Sequence, residues 1–269
     1  MTGLLPEAAD LERRFGGLAR LYGPAGAQRL RQAHAVVVGL GGVGSWAAEA
    51  LARSGVAKLT LIDLDHISES NINRQLHALD NTLGQSKVQA MHERIGLINP
   101  DCDVVCVEEF VDAANWPKIA GLDVPNNSAP LAVLDACDQV RAKTAMAAWA
   151  MAHGVNFISV GAAGGKRHAH RVDIEDLSLT THDPLLAQLR YRLRKEQGAA
   201  RTGKIGVACV FSREAVMPPD ALCEVDLASD GSLNCHGYGS VVTVTASFGL
   251  CAAGWLLDKI ALGSKSASK

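Results

Sequence analysis

The stretch HAVVVGLGGVGSWAAEALARSGVAKLTLIDLDHISESNINRQ, residues 34–75, constrains the fold more than any other part of the chain. Residues 35–38 are an apolar run suited to a strand. A turn carrying Gly39, Gly41, Gly42 and Gly44 follows, then a helical pattern over about 45–53, then a second apolar run, 59–64, around Asp63. Glycines in such a turn reverse the chain, let a phosphate approach backbone N–H groups, and let the helix pack closely on the strand. The helix start adds oriented donors and the positive end of its dipole. Asp63 lies 19 positions after Gly44, where a phosphate-binding βαβ unit places its ribose-binding carboxylate. A nucleotide site at the ends of these two strands is the expectation.

With 269 residues the chain suffices for one large α/β domain or two small ones, and 48% hydrophobic residues exclude a disordered polymer. The first residues, MTGLLPEAADLERRF, carry acidic groups and no apolar run after a basic end, so they do not read as a secretory signal. Seven scattered cysteines form no CxxC pair. Neither a disulfide framework nor a zinc site is expected, and a cytoplasmic protein fits best. Residues 237–257 carry no charge and are long enough to cross a bilayer. Their glycines, serines and threonines favour a buried helix, at the core or a subunit interface, over membrane contact.

The remaining pattern alternates strands and helices. Residues 1–33 read as a helical arm broken at Pro24-Ala25-Gly26. Helical patterns cover 84–97, ended by Asn99-Pro100, then 140–153 and the basic segment 183–197. Strand patterns cover 102–107, 131–135, 155–160, about 171–174, and 207–211. This order predicts an α/β fold: a Rossmann-like, doubly wound, mostly parallel sheet with right-handed crossovers. It divides as a helical arm (1–33), a nucleotide-binding core (34–165), and an irregular α+β extension for substrate binding and dimerisation (166–269).

Chemistry-bearing residues gather where a doubly wound sheet binds ligands, at the carboxyl ends of its strands. After the second strand come Asp63, Asp65, Asn71, Arg74 and Gln75; Lys87 opens the next helix; Asp138 follows the strand at 131–135. A dinucleotide needs the glycine turn and Asp63 but not two fixed cations. Adenylyl transfer does need them. Charge builds on the phosphoryl oxygens and departing pyrophosphate, and Arg74 and Lys87 would stabilise it. Asp138 would hold Mg²⁺ across the phosphates. Bland readings stand beside these: Arg74 as a surface ion pair with Asp65, Asp138 as the cap of the following helix, Asp135 as the metal group in its place.

The set VVVGLGGVGSWAAEALARSGV, DLDHISESNINRQ, LGQSKVQ and LDACDQVRAK resembles the ubiquitin-activating-enzyme-like (ThiF/MoeB-type) adenylyltransferases. That resemblance implies an ATP site built from Gly41, Asp63, Asp65, Asn71, Arg74, Lys87 and Asp138. It also implies a homodimer in which an arginine of the partner's arm completes the site. Gly17 occupies that position here, so Arg14 or Arg20 must serve. The arm RFGGLARLYG, with NRQLHAL and VVTVTASFG, is similar to the tRNA threonylcarbamoyladenosine dehydratase family. That similarity implies ATP-dependent cyclisation of N6-threonylcarbamoyladenosine at position 37 of tRNA through an acyl adenylate. The alternative is an adenylyltransferase acting on the C-terminal carboxylate of a ubiquitin-like sulfur carrier.

Although net charge is −2, residues 166–204 hold nine Lys/Arg against five Asp/Glu. A tRNA partner would account for Lys166, Arg167, Arg190, Arg192, Arg194, Lys195 and Lys204 as phosphate contacts; a solvated helix face is the plainer account. Cys235, flanked by Asn234 and His236, is a candidate reactive cysteine, with a structural cysteine, or one that faces a cysteine desulfurase or other sulfur-acceptor system, as the plainer account.

Overall fold

A computed structural model describes residues 9–122, 129–218 and 238–263. Its centre is a seven-stranded sheet. In chain order the elements are α1 (Leu11–Phe15), α2 (Gly17–Leu30), β1 (His34–Val38), α3 (Gly44–Arg53), β2 (Lys58–Ile62), α4 (Lys87–Ile98) and β3 (Asp103–Val107). Then come β4 (Leu131–Asp135), α5 (Val140–His153), β5 (Asn156–Val160), β6 (Val172–Asp176), α6 (Pro184–Glu196), β7 (Ala208–Ser212) and α7 (Val242–Leu262). The strands lie in the order β3-β2-β1-β4-β5-β7-β6, all pairs parallel except β6 with β7. Strand order reverses between β1 and β4, so their carboxyl ends frame the crevice where such sheets bind ligands.

Helices cover both faces, which is why the central strands are apolar at nearly every position. Successive β1 side chains feed opposite cores. Ala35 and Val37 join Leu51, Met91, Phe248 and Leu256 beneath α3, α4 and α7. Val36 and Val38 join Met146, Leu186, Leu189 and Phe211 beneath α5 and α6.

Residues 242–257 of the uncharged run lie in α7. Val244, Phe248, Ala252, Ala253, Leu256 and Ile260 are buried, and the helix packs on α3, α2 and the sheet. Its apolarity is that of a core helix, although its length and composition would also suit a membrane span. The arm folds back on its own chain. Phe15 is buried beside Gly55, and Arg29 donates to the carbonyls of Ile260 and Ala261 at the end of α7. The expected break falls at Gly23, whose φ of 73° interrupts α2 just before Pro24.

Most boundaries shift by a residue or two, and two of the shifts bear on the crevice. The helix expected from residue 84 starts at Lys87, because Gln85 and Ser86 pair with Ile67 and His66 in a short antiparallel bridge. The second strand ends at Ile62, so Asp63 and Asp65 stand beyond the sheet, on the crevice.

Below that crevice the core holds a buried ion pair. Asp135 and Lys143 are both 0% exposed, with Lys143 Nζ 3.0 Å from Asp135 Oδ2 and 2.8 Å from the Val160 carbonyl. Ser159 Oγ also donates to Asp135, at 2.6 Å. Burial lowers the lysine's affinity for its proton, but the carboxylate at contact distance more than restores it, so Lys143 stays charged. Breaking such a pair strands a charge. Asp135→Ala is expected to cost about 3–5 kcal/mol in urea denaturation. The double variant Asp135→Leu/Lys143→Met should recover most of that loss.

Candidate functional site

The crevice contains two adjoining cavities that share a wall made of Gly41 and of Ala136, Cys137 and Asp138. The wall exists because β1 and β4 are paired in register, Val38 opposite Asp135, so both strand ends deliver their loops at one level. Gly39 has φ of +86°, and a Cβ there would lie 2.9 Å from the backbone of Ala136. Only glycine allows the two loops to touch.

The first cavity, of about 140 Å³, opens between the ends of β1 and β2. Asp63, Leu64, Asp65, Gln75, Lys87, Phe110 and Asp138 line it. Asp63 Oδ2 accepts from the Leu40 N–H at 2.6 Å and Oδ1 from the Asp65 N–H at 2.9 Å, which ties the glycine turn to the end of β2. Burial raises the Asp63 pKa above its usual value, against the pull of Lys87 and those two N–H donors. Lys87 is held where the turn before α4 meets this loop. Its Nζ lies 2.7 Å from Asp65 Oδ2 and 3.8 Å from Asp63 Oδ1 while its side chain is only 6% exposed. A buried ammonium at the mouth of a glycine turn, with a carboxylate beside it, suits a ribose and the phosphate attached to it.

The second cavity, of about 160 Å³, lies on the other side of the wall. Gly42, Arg74, Ala162, Gly164, Leu185 and Tyr238 are among its lining residues. Arg74 is held by its backbone carbonyl, which accepts from Trp46 Nε1, and its guanidinium donates to the Ser70 carbonyl at 2.7 Å and Asn73 Oδ1 at 2.9 Å. Asp65 takes Lys87 rather than Arg74, so the surface pair between Arg74 and Asp65 does not form. Arg74 and Lys87 thus stand in neighbouring cavities on either side of Gly41, not within one.

Other predicted residues sort as follows. Asn71 is buried and caps its own turn, accepting from the Ser68 N–H at 3.2 Å. Gln75 is buried on the first cavity, and its Oε1 has no hydrogen-bond partner among the described residues. Asp138 lines both cavities; the N-cap of α5 is Gln139, not Asp138. Asp135 is spent on Lys143 and cannot take a metal. No cluster of three or more His, Cys, Asp or Glu suited to a metal occurs among the described residues. Cys137 lines both cavities, but burial and the Asp135 carboxylate push its thiol far up, which disfavours the thiolate. Arg14 is exposed, and its guanidinium donates to the Ile98 carbonyl of its own chain at 2.7 Å. Arg20 is exposed, with no partner among the described residues. Cys235 lies outside the described residues.

The basic segment divides by direction. Lys166 is 2% exposed, and its Nζ donates to the carbonyls of His182 and Glu214, so it cannot meet a polyanion. Arg190 turns inward to the Leu177 and Thr180 carbonyls at 2.9 and 3.0 Å. Arg192 pairs with Glu196, and Arg194 donates to the Ala200 carbonyl. Arg167, Lys195 and Lys204 are exposed.

Comparison with known proteins covers both halves of the chain. Residues 14–268 match the ThiF family. A tRNA threonylcarbamoyladenosine dehydratase of Haemophilus influenzae is 41% identical over 93% of this chain and 94% of its own length. The crystal structure of the Escherichia coli tRNA N6-threonylcarbamoyladenosine dehydratase in complex with ATP superposes with a TM-score of 0.81 at 40% identity, covering 94% of this chain and 96% of that one. The same E. coli protein in complex with AMP matches equally well. The molybdopterin-synthase adenylyltransferase of E. coli is 36% identical over 51% of this chain and 52% of its own.

Sequence reasoning passed over His77. It is 2% exposed, and neither ring nitrogen has a hydrogen-bond partner among the described residues. Burial, then Lys87 and Arg94, push its pKa down to about 4 from 6.5. His34 is lowered to about 4 as well, by burial and then Lys58. Below pH 6.5 the unfolded chain takes up protons at these rings that the native chain refuses until about pH 4. Stability is therefore full above pH 6.5 and declines as pH falls towards 4. Replacing His77 by Leu should flatten that decline by up to about 1.4 kcal/mol per pH unit, read from urea denaturation at pH 7, 5.5 and 4.5.

Proposed function

Because the chain belongs to the ThiF family and, within it, to the tRNA threonylcarbamoyladenosine dehydratases, we propose that it performs the ATP-dependent dehydration of N6-threonylcarbamoyladenosine at position 37 of tRNA. The observation that carries this reading is extent. Likeness to the dehydratases runs through both halves of the chain, whereas likeness to the molybdopterin-synthase adenylyltransferase stops at half.

In this reading a carboxylate oxygen of the threonyl group attacks the α-phosphorus of ATP, and the bond to pyrophosphate breaks. An atom of the same modified base then attacks the activated carbonyl and loses its proton. AMP departs with the carboxylate oxygen, leaving a nucleoside lighter by one water. Nucleophile and electrophile are tethered, so no protein nucleophile is required.

The residues of the crevice fit ATP. Asp63 offers a carboxylate to ribose hydroxyls. The turn after β1 and the start of α3 offer N–H groups and a dipole to phosphate. Gln75 lines the same space, with an Oε1 that has no hydrogen-bond partner among the described residues. Lys87 from one side of Gly41 and Arg74 from the other neutralise the charge that grows on the phosphoryl oxygens. Mg²⁺ arriving with ATP would be held by Asp138 and would supply positive charge against the phosphates. Arg20 of a second copy, exposed and without a partner among the described residues, would complete the site in a homodimer.

Lys87→Ala and Arg74→Ala should each lower kcat by a factor of ~10² or more. The assay incubates the enzyme with ATP, Mg²⁺ and threonylcarbamoylated tRNA and weighs the product nucleoside. Pyrophosphate exchange that requires a ubiquitin-like carrier instead of tRNA would overturn the reading. The exposed cations are the ones to meet tRNA. Lys195→Glu/Lys204→Glu should weaken tRNA binding and reduce the slope of log affinity against log salt. Arg190→Ala should lower Tm while leaving that slope unchanged.

A further inference from the structure

The second cavity shares a wall with the nucleotide side, yet it has a different chemistry. Arg74 and Asp138 are the charged side chains among its described lining residues. The rest are small or apolar, and Tyr238 is the one aromatic ring. Tyr238 sits directly on the loop that follows β5: its Cβ is 3.4 Å from where a Cβ on Gly164 would stand, and the Gly165 N–H donates to the Gly239 carbonyl at 2.9 Å.

That loop is braced from behind. The buried Asp183 accepts from the Ala162 N–H at 2.9 Å and from the Leu186 N–H at 2.9 Å. Lys166 ties the His182 carbonyl to that of Glu214, and the Glu214 carboxylate accepts from the N–H groups of Arg167 and His168. His182 has φ of +55°, in the left-handed region that non-glycine residues seldom adopt. A wall braced to this degree is preformed, and it presents a largely apolar cavity beside an aromatic ring.

We propose that this cavity receives the modified adenine itself, extruded from the anticodon stack and laid against Tyr238, with its carboxylate directed at the shared wall. The inference rests on the dehydratase reading above and adds a place for the base. The carboxylate must reach the α-phosphate, and only a few bonds separate it from the purine. Once the carboxylate stands at the wall of Gly41 and Asp138, the purine has to occupy the adjoining space. A base stacked between its neighbours in an anticodon loop cannot lie against Tyr238 as well, so it must be turned out, as enzymes acting on a single base require. A flat, weakly polar heterocycle gains from an aromatic face, whereas the glycine tail of a carrier protein has no ring to offer one.

The test uses the full chain with ATP, Mg²⁺ and threonylcarbamoylated tRNA. Tyr238→Ala should raise KM for tRNA about tenfold or more, the size of a lost base–aromatic stack. ATP affinity should be unchanged, which also reports that the variant folds, and Tyr238→Phe should restore the wild-type KM. In addition, 2-aminopurine placed beside the modified base should brighten on binding to wild type, because extrusion unstacks its neighbour. An unaltered KM in Tyr238→Ala, a Phe variant as impaired as the Ala variant, or no brightening with wild type would each overturn the proposal while dehydration by the wild type stands. If wild type leaves the modified tRNA untouched and activates a small carrier protein, the functional reading falls first and takes this one with it.

Discussion

At the head of β1 the chain passes so close to itself that a methyl group on Gly44 would stand 1.7 Å from the carbonyl oxygen of Gly39. The start of α3 is thereby pressed onto the end of β1, and the end of β1 onto the loop after β4. Everything functional hangs on that compression. It forms the shared wall that separates two cavities. Asp63 then locks the turn from the side by accepting from Leu40. A side chain at either glycine would push the loops apart.

Charge is distributed around this wall by burial rather than by count. Lys87, Lys143 and Lys166 are all nearly or wholly removed from water, yet they do different things. Lys143 is matched by Asp135 in the core and braces β4 against β5. Lys166 is matched by two backbone carbonyls and braces the loop after β5. Lys87 has a half-exposed carboxylate for a partner and borders a cavity, so its charge remains available to a phosphate. A buried cation costs much to desolvate, and the identity of its partner decides whether it serves structure or ligand.

Much of the scaffold was legible because local pattern and tertiary demand agree. β4 and α5 fall where the apolar run and the alanine-rich periodicity end, and the arm breaks beside Pro24. The elements that moved did so through contacts between distant segments. The start of α4 waits for the bridge between His66 and Ser86, a pairing that no window around residue 84 contains. The candidate site was legible as a set of residue types but not as a partition. Nothing in the spacing of Arg74 and Lys87 shows that Gly41 stands between them. Likewise the basic segment reads as nine similar charges, although Lys166 and Arg190 face inward while Lys195 and Lys204 face water.

What the sequence determined by itself is the doubly wound sheet and the location of its crevice, because strand and helix periods and the glycine turn are local properties with few compatible topologies. What only the tertiary structure decided is which way each polar side chain points and what it meets there. Asp135 and Asp138 sit three positions apart, one sealed in the core against Lys143 and the other on both cavities. His77, silent in the sequence, becomes a neutral ring under Lys87. Burial and partner are set by chain segments tens of residues away, so these fates follow from packing and not from spacing.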